Sequence, residues 1–267
     1  MKYFIAGGYN KSGTTFLQSI LDSHADIGCS PEHHLKKLTL GLVKLIENYS
    51  ATVELFDKRT ANIGVRLQKK EVLEQALKST YNTIFNESAE KNNKACGISD
   101  NWAYEIRPIL DLIYPHLKYI YITRDPREVC TSLYHHIKRT EPGRLDNIDI
   151  NTYAKSFGAK WNQHIKEIYN QRAKNPQNTI IIKYERLISD QRIQELQPVL
   201  KLLDANDDEH YINDLFERQS QIFQERKNQN KFYRSGAKNS WRQNLADESV
   251  SSIINRCRDS MRLSGYE

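Results

Sequence analysis

Nine residues near the amino end carry the chemistry that is easiest to read: Gly7, Gly8, Tyr9, Asn10, Lys11, Ser12, Gly13, Thr14 and Thr15. They follow an apolar run, Tyr3 to Ala6, and precede Phe16, Leu17, Ile20 and Leu21, whose spacing marks one helix face. A glycine-rich turn between a strand and a helix aims successive backbone N–H groups at one point. The helix start adds roughly half a positive charge there. Such a place binds an anion, phosphate above all. Ser12, Thr14 and Thr15 add hydroxyl donors, and Lys11 adds a mobile cation. A plain Gly/Ser turn with a capping threonine accounts for the glycines, but it requires neither the lysine nor the hydroxyl pair.

Gly8 and Gly13 have the spacing of the two glycines in the Walker pattern GxxxxGK[ST], yet the next pair is Thr14-Thr15 and the lysine lies inside the loop. In nucleoside triphosphatases the lysine after the second glycine reaches the β/γ-phosphates, and the adjacent hydroxyl holds magnesium. A phosphate cradle with its lysine moved argues against a magnesium-dependent kinase. The stretch from Tyr9 to Phe16 resembles the 5′-phosphosulfate loop of the sulfotransferases that use 3′-phosphoadenosine 5′-phosphosulfate (PAPS), commonly written PKSGTTW. Leu21 to Ile27 is similar to that family's LxxHPxI stretch. The resemblance implies an α/β fold of three layers, a parallel β-sheet flanked by helices and akin to the P-loop nucleoside triphosphatases. It also implies PAPS as donor, with no metal. By the same resemblance Ser12, Gly13, Thr14 and Thr15 hold the 5′-phosphate, and Lys11 neutralises charge developing on the bridging oxygen. Phe16 stands where the family has Trp; it either offers a face to the adenine or belongs to the core.

Two later motifs extend the resemblance. The family binds the donor's 3′-phosphate with an Arg at a strand end and a Ser eight residues on. Tyr121 to Arg127 followed by Ser132 supplies Arg124 and Ser132 at that spacing. Arg offers phosphate a bidentate fork; taken alone, Arg124-Asp125 also reads as a local ion pair. Phe232 to Gly236 with Trp241-Arg242 is similar to the family's FRKGxxGDWKxxF element, which implies that Arg234, Ser235 and Gly236 close over the 3′-phosphate. Asn239-Ser240 replaces the Gly-Asp of that element, and an exposed basic loop is the competing reading. Lys183 to Leu187 resembles the family's YEDL, which puts Tyr184 against the adenine.

The base is less direct. Cys96 to Trp102 lacks the histidine of the KTHLP strand found in small-molecule sulfotransferases. Ser30-Pro31-Glu32-His33-His34 lies where carbohydrate- and tyrosine-directed members carry a glutamate, so the resemblance nominates Glu32 as general base. His33, His34 and Asp100 are the reserves, and a helix-start carboxylate is the structural alternative for Glu32. The expected reaction is in-line sulfuryl transfer to a hydroxyl or amine of a small-molecule, lipid or carbohydrate acceptor. Tyr134, His135, His136 and Trp102 are candidate acceptor-pocket residues by neighbourhood. The rivals are a small-metabolite kinase and a non-catalytic nucleotide-binding module.

These residues need a frame. Tyr3 to Ala6, Lys118 to Thr123 and Thr179 to Lys183 read as buried parallel strands, with Ala95 to Ser99 a weaker fourth. Helical stripes lie between them, including Tyr153, Phe157, Trp161, Ile165 and Ile168, and later Val250 to Met261. Strand–helix alternation predicts βαβ units in one domain over 1–267. Within it, 139–150 reads as a surface loop and 204–248, polar but aromatic-bearing, as a mobile closing segment. The 267 residues carry a net charge of +6, which suits anionic ligands without choosing among them. No helix-turn-helix or RNP-like pattern points to nucleic acid. Four dispersed cysteines suggest neither a zinc site nor a disulfide framework. With no long apolar run and no leader pattern, the expectation is a cytoplasmic protein without a membrane span; a homo-oligomer is compatible with the sequence.

Overall fold

The computed structural model describes residues 1–60, 69–87, 93–229 and 240–267, the side chains of 69–70 and 223–229 excepted. In chain order the elements are β1 (Lys2–Gly8), α1 (Thr14–Asp22), β2 (Ile27–Ser30), α2 (Leu35–Arg59), α3 (Lys69–Glu87), β3 (Ala95–Ser99), α4 (Ala103–Ile113), β4 (Lys118–Thr123) and α5 (Pro126–Thr140). They continue with α6 (Ile150–Ser156), α7 (Ala159–Lys174), β5 (Thr179–Lys183), α8 (Tyr184–Leu187), α9 (Arg192–Leu202), α10 (Glu209–Gln229), α11 (Trp241–Asn244) and α12 (Asp247–Ser264).

The strands form one sheet in the order β2-β3-β1-β4-β5, every neighbouring pair parallel. Side chains alternate across it, as a pleated strand requires. Ile5, Ile98, Tyr119 and Tyr121 face a layer containing α3, α4, α5, α7 and α12. Phe4, Ala6, Ile120, Ile122 and Ile182 face the opposite layer, built from α1, α8, α9 and α10. The sheet is thus covered on both sides, which explains the nearly unbroken apolar runs of its central strands. The expected three-layer parallel architecture is the one observed.

Three local features differ from the sequence reading. A fifth strand, Ile27–Ser30, pairs with β3 at the sheet edge. It is four residues long and carries no apolar run to announce it. The Tyr153-to-Ile168 stripe is two helices rather than one, because Gly158 takes φ 120° after α6 ends. A Cβ at Gly158 would meet Cys257 Sγ, so a glycine there lets α12 pack close. Within 204–248, Glu209–Gln229 is a regular helix whose Ile212, Leu215 and Phe216 lie in the core. Residues 230–239 lie outside the described residues, and with them the nominated Arg234, Ser235 and Gly236. Between α5 and α6, positions 141–149 form exposed turns, as expected of a surface loop.

Candidate active site

The carboxyl ends of β1, β3 and β4 meet at one edge of the sheet, the usual place for ligands in an open parallel α/β fold. There β1 runs into the loop Tyr9–Gly13. Gly7 and Gly8 close-pack against neighbouring strands: a Cβ on either would collide with the carbonyl oxygen of Asp100 or Ile122. Tyr9 anchors the loop's start, its ring lying edge-on to Phe157 at 6.3 Å and to His164 at 5.7 Å. Ser12 N donates to Tyr9 O at 2.9 Å and closes the turn. Lys11 and Gly13 both take positive φ, 69° and 99°, so the chain curls around a centre before α1 begins.

Among the described residues no side chain caps the start of α1 at Gly13, so the N–H groups of its first turn face outward, as an anion site requires. Ser12 is fully buried, and its Oγ has no hydrogen-bond partner among the described residues. A buried hydroxyl in that condition costs about 1–3 kcal/mol unless a ligand oxygen engages it. Thr14 is buried beside it and Thr15 is exposed. The loop therefore fits a phosphate.

Arg124 follows β4 and reaches back to this loop. Its Nη1 donates to Lys11 O at 3.2 Å, and its guanidinium lies 4.5 Å over the ring of Tyr184. Tyr184 opens α8 and packs directly on Gly13, where a Cβ would strike its ring. Phe16 completes the stack, edge-on to Tyr184 at 6.4 Å and 6.2 Å from Phe216. Loop, Arg124, Tyr184 and Phe16 thus form one continuous surface although they come from distant stretches of chain. Asp125 is not the partner of Arg124: it caps α5 and binds Arg127, with Asp125 Oδ1 2.9 Å from Arg127 Nε. Arg124 instead faces Glu128. Ser132 sits half-buried on the same α5 stripe, one turn beyond Glu128.

On the other side of the loop, Asn101 Nδ2 donates to Asn10 Oδ1 at 3.1 Å and to Glu32 Oε2 at the longer distance of 3.5 Å. Glu32 therefore stands beside the phosphate loop. Burial, then the nearby Asp100 carboxylate, raises its pKa above the ordinary carboxylate value, which is the direction that suits a general base. The reserves have other partners. Asp100 is buried and accepts from Leu35 N at 2.7 Å and Trp102 N at 2.8 Å, so it caps α2 from 65 residues away. His33 Nε2 hydrogen-bonds Ser30 Oγ at 3.1 Å, and exposed His34 lies 3.8 Å from Glu32 Oε1.

The loop's cation is tuned as well. Burial, with help from Arg139, lowers Lys11 to about 8, so it remains mostly protonated at neutral pH. His136 is held below its ordinary value by burial, then by Lys11 and Arg139. Lys11 and Arg139 thus supply positive charge, and they help keep the neighbouring His136 imidazole neutral. Of the other acceptor-pocket candidates, Tyr134 is buried and donates to Ile148 O, and His135 hydrogen-bonds Asn244 Oδ1 at 3.3 Å. Trp102 lies under Lys36, 5.8 Å from its ammonium. Asn101 and Glu128 were missed by the sequence reading. Position at a strand's carboxyl end was the only signal for the first, and none marked the second.

A separate cavity of about 430 Å³ lies at the amino ends of β1 and β4, away from the loop. Its lining lysines Lys2 and Lys118 are engaged by Asp204 and Asn178. It has no part in this chemistry.

A family model of the sulfotransferase domain matches residues 2–265. The chain belongs to the sulfotransferase domain family. Among relatives of that family it is similar to protein-tyrosine sulfotransferase 1 of Danio rerio, 27% identical over 70% of this chain and 49% of that protein. It is also similar to a putative protein-tyrosine sulfotransferase of Caenorhabditis briggsae, 28% identical over 74% of this chain and 64% of that one. The chain thus spans about half to two thirds of the length of these relatives. A mouse sulfotransferase solved in complex with PAP superposes with a TM-score of 0.65 at 17% identity, covering 99% of this chain and 85% of the other. A retinol dehydratase solved with androsterone and PAP follows, with a TM-score of 0.55, 17% identity, and 97% and 80% coverage. The fold is the P-loop-like sulfotransferase fold.

Gly13→Ala tests the cradle. It forces a side chain into φ 99° and against Tyr184, and should cost roughly 1–3 kcal/mol of stability. The check is a lower urea midpoint at constant slope; an unchanged midpoint would mean that the loop is slack.

Proposed function

We propose that this chain is a PAPS-dependent sulfotransferase that moves a sulfuryl group to an acceptor hydroxyl. The observation that carries the reading is the junction of Arg124 with the loop: one guanidinium bonded to Lys11 O, stacked on Tyr184, which rests on Gly13. A donor with a 5′-phosphosulfate and a 3′-phosphate needs two anion sites joined at fixed separation, with an aromatic surface nearby for the base. Bound there, the donor supplies the activated sulfuryl group. The protein's own part is positioning and charge. Ser12, Thr14, Thr15 and the α1 amides hold the 5′-phosphate; Arg124 and Ser132 hold the 3′-phosphate. Lys11 carries positive charge to the oxygen that leaves, and Glu32 takes the acceptor's proton.

For the acceptor, the names of the relatives, protein-tyrosine sulfotransferases, make a peptidyl tyrosine the first class to try, ahead of small-molecule, lipid and carbohydrate hydroxyls. The positive charge of Lys11 and Arg139 favours an acceptor whose surroundings are not cationic. The cytoplasmic location belongs to the same reading: four free, buried cysteines suit a reducing compartment, and fractionation of the native host tests it. No helix among the described residues is long and apolar enough to cross a membrane.

Calorimetry tests the donor. Wild type should bind 3′-phosphoadenosine 5′-phosphate (PAP) without magnesium. Arg124→Ala should lose roughly 2–5 kcal/mol, the cost of removing one partner from a buried charged pair. Magnesium-dependent ATP binding with no response to PAP would instead bring the kinase forward.

A further inference from the structure

Glu128 is a carboxylate without solvent to carry its charge. It lies in the first turn of α5, 3% exposed. The helix dipole favours an acid at that position, but a few tenths of a kcal/mol do not offset the several that burying an ion costs. Partners must. Ser240 Oγ donates to Glu128 Oε2 at 2.8 Å, and Trp241 N to Oε1 at 3.3 Å. Arg124 Nη2 approaches Oε2 at 3.5 Å, both side chains being at most 10% exposed.

Those contacts help hold Arg124. Tyr184 supports the guanidinium's face, Lys11 O takes one terminal nitrogen, and Glu128 stands against the other. A free arginine side chain carries about 2 kcal/mol of rotamer entropy, and a guanidinium fixed beforehand loses little of it on meeting phosphate. The far side of Glu128 is equally fixed. Trp241, whose N–H it accepts, is flanked by the guanidinium groups of Arg127 at 4.4 Å and Arg242 at 4.6 Å. Arg127 is itself locked by the Asp125 cap.

We propose that Glu128 is a positioning residue for donor specificity: it orients Arg124 toward the 3′-phosphate and ties that orientation to Ser240 and Trp241. The inference rests on the assignment of Arg124 under Proposed function. It makes a prediction opposite to simple electrostatics. Removing a carboxylate from a phosphate site raises the local positive potential and should tighten every nucleotide. Loss of orientation should weaken only a ligand that carries a 3′-phosphate.

The test compares PAP with adenosine 5′-monophosphate, which differs only by lacking the 3′-phosphate, by calorimetry on the full chain. Glu128→Gln should lower the preference for PAP by about tenfold or more, the scale of one charge-assisted contact, while affinity for the monophosphate holds. Ser240→Ala should shift the same ratio in the same direction by a smaller factor. Glu128→Asp, which keeps the charge on a shorter stem, should fall between wild type and Gln. An unchanged or increased preference for PAP in Glu128→Gln overturns the proposal. An equal loss for both ligands does so too, because that marks a structural role. Should Glu128→Gln fail to fold, the ratio in Ser240→Ala decides. A wild type that does not distinguish the two nucleotides would defeat the donor assignment itself; a discriminating wild type with an indifferent Glu128→Gln defeats only this inference.

Discussion

Glu32→Gln is expected to lower kcat by roughly 10²–10⁴, the usual contribution of a positioned general base, with little change in PAP affinity. Among the described residues Glu32 is linked to the loop through Asn101, so its loss should leave the phosphate sites intact. The same variant should erase the acid limb of the pH–rate profile. Burial and Asp100 raise the Glu32 pKa, so in wild type kcat/KM should fall as pH drops through a value above the ordinary carboxylate range. Below it the carboxyl is protonated and cannot accept. Rates with a tyrosyl peptide and PAPS from pH 4 to 9 would check both points. A variant retaining its kcat and its acid limb would remove Glu32 from the chemistry and return attention to His33 and His34.

Lys11→Met should have a comparable effect by a different route. A cation at the oxygen that gains charge is worth roughly 10²–10³ in rate, as for other donors placed where charge develops. The lysine's pKa, lowered to about 8 by burial and Arg139, sets the alkaline side. Its ammonium is present below that value and lost above it, so kcat/KM should decline as pH rises through about 8. An anionic donor stabilises the ammonium and raises that pKa, so the limb should move to higher pH in kcat, which reports the bound complex. Lys11→Arg keeps a charge that never titrates in this range and should flatten the limb even where its rate is low. A limb that stays near 8 in Lys11→Arg would assign it to another group.

The two effects are separable because the groups come from different segments of the chain. Glu32 follows β2, reaching the loop through Asn101, whereas Lys11 is part of it. Their pKa shifts also have opposite signs from one shared cause: burial penalises whichever form is charged, raising an acid and lowering a base. The profile should therefore be bell-shaped, bounded below by a raised carboxylate and above by a lowered ammonium.

Much of this site was legible in the residues themselves. Gly8, Lys11, Gly13 and the Thr14-Thr15 pair encode a strand–turn–helix cradle because backbone conformation and helix-start N–H groups are local properties. The central strands announced themselves as apolar runs because a parallel sheet is covered on both faces. Arg124 and Ser132 were paired through their resemblance to the family's motif, whose eight-residue spacing from a strand end into a helix is a local property. What tertiary structure alone decided is who holds whom. Arg124 faces Glu128 and the carbonyl of Lys11, not its neighbour Asp125. Asp100, a plausible base by position, gives both its oxygens to Leu35 and Trp102. Glu128 meets Ser240 and Trp241 across more than a hundred residues, and Gly158 divides a stripe that looked like one helix because α12 packs against it. Periodicity and motif spacing report backbone conformation over a few turns of chain. The partner of a buried charge is set by which distant segments the packed sheet brings within hydrogen-bond reach, and no local pattern carries that information.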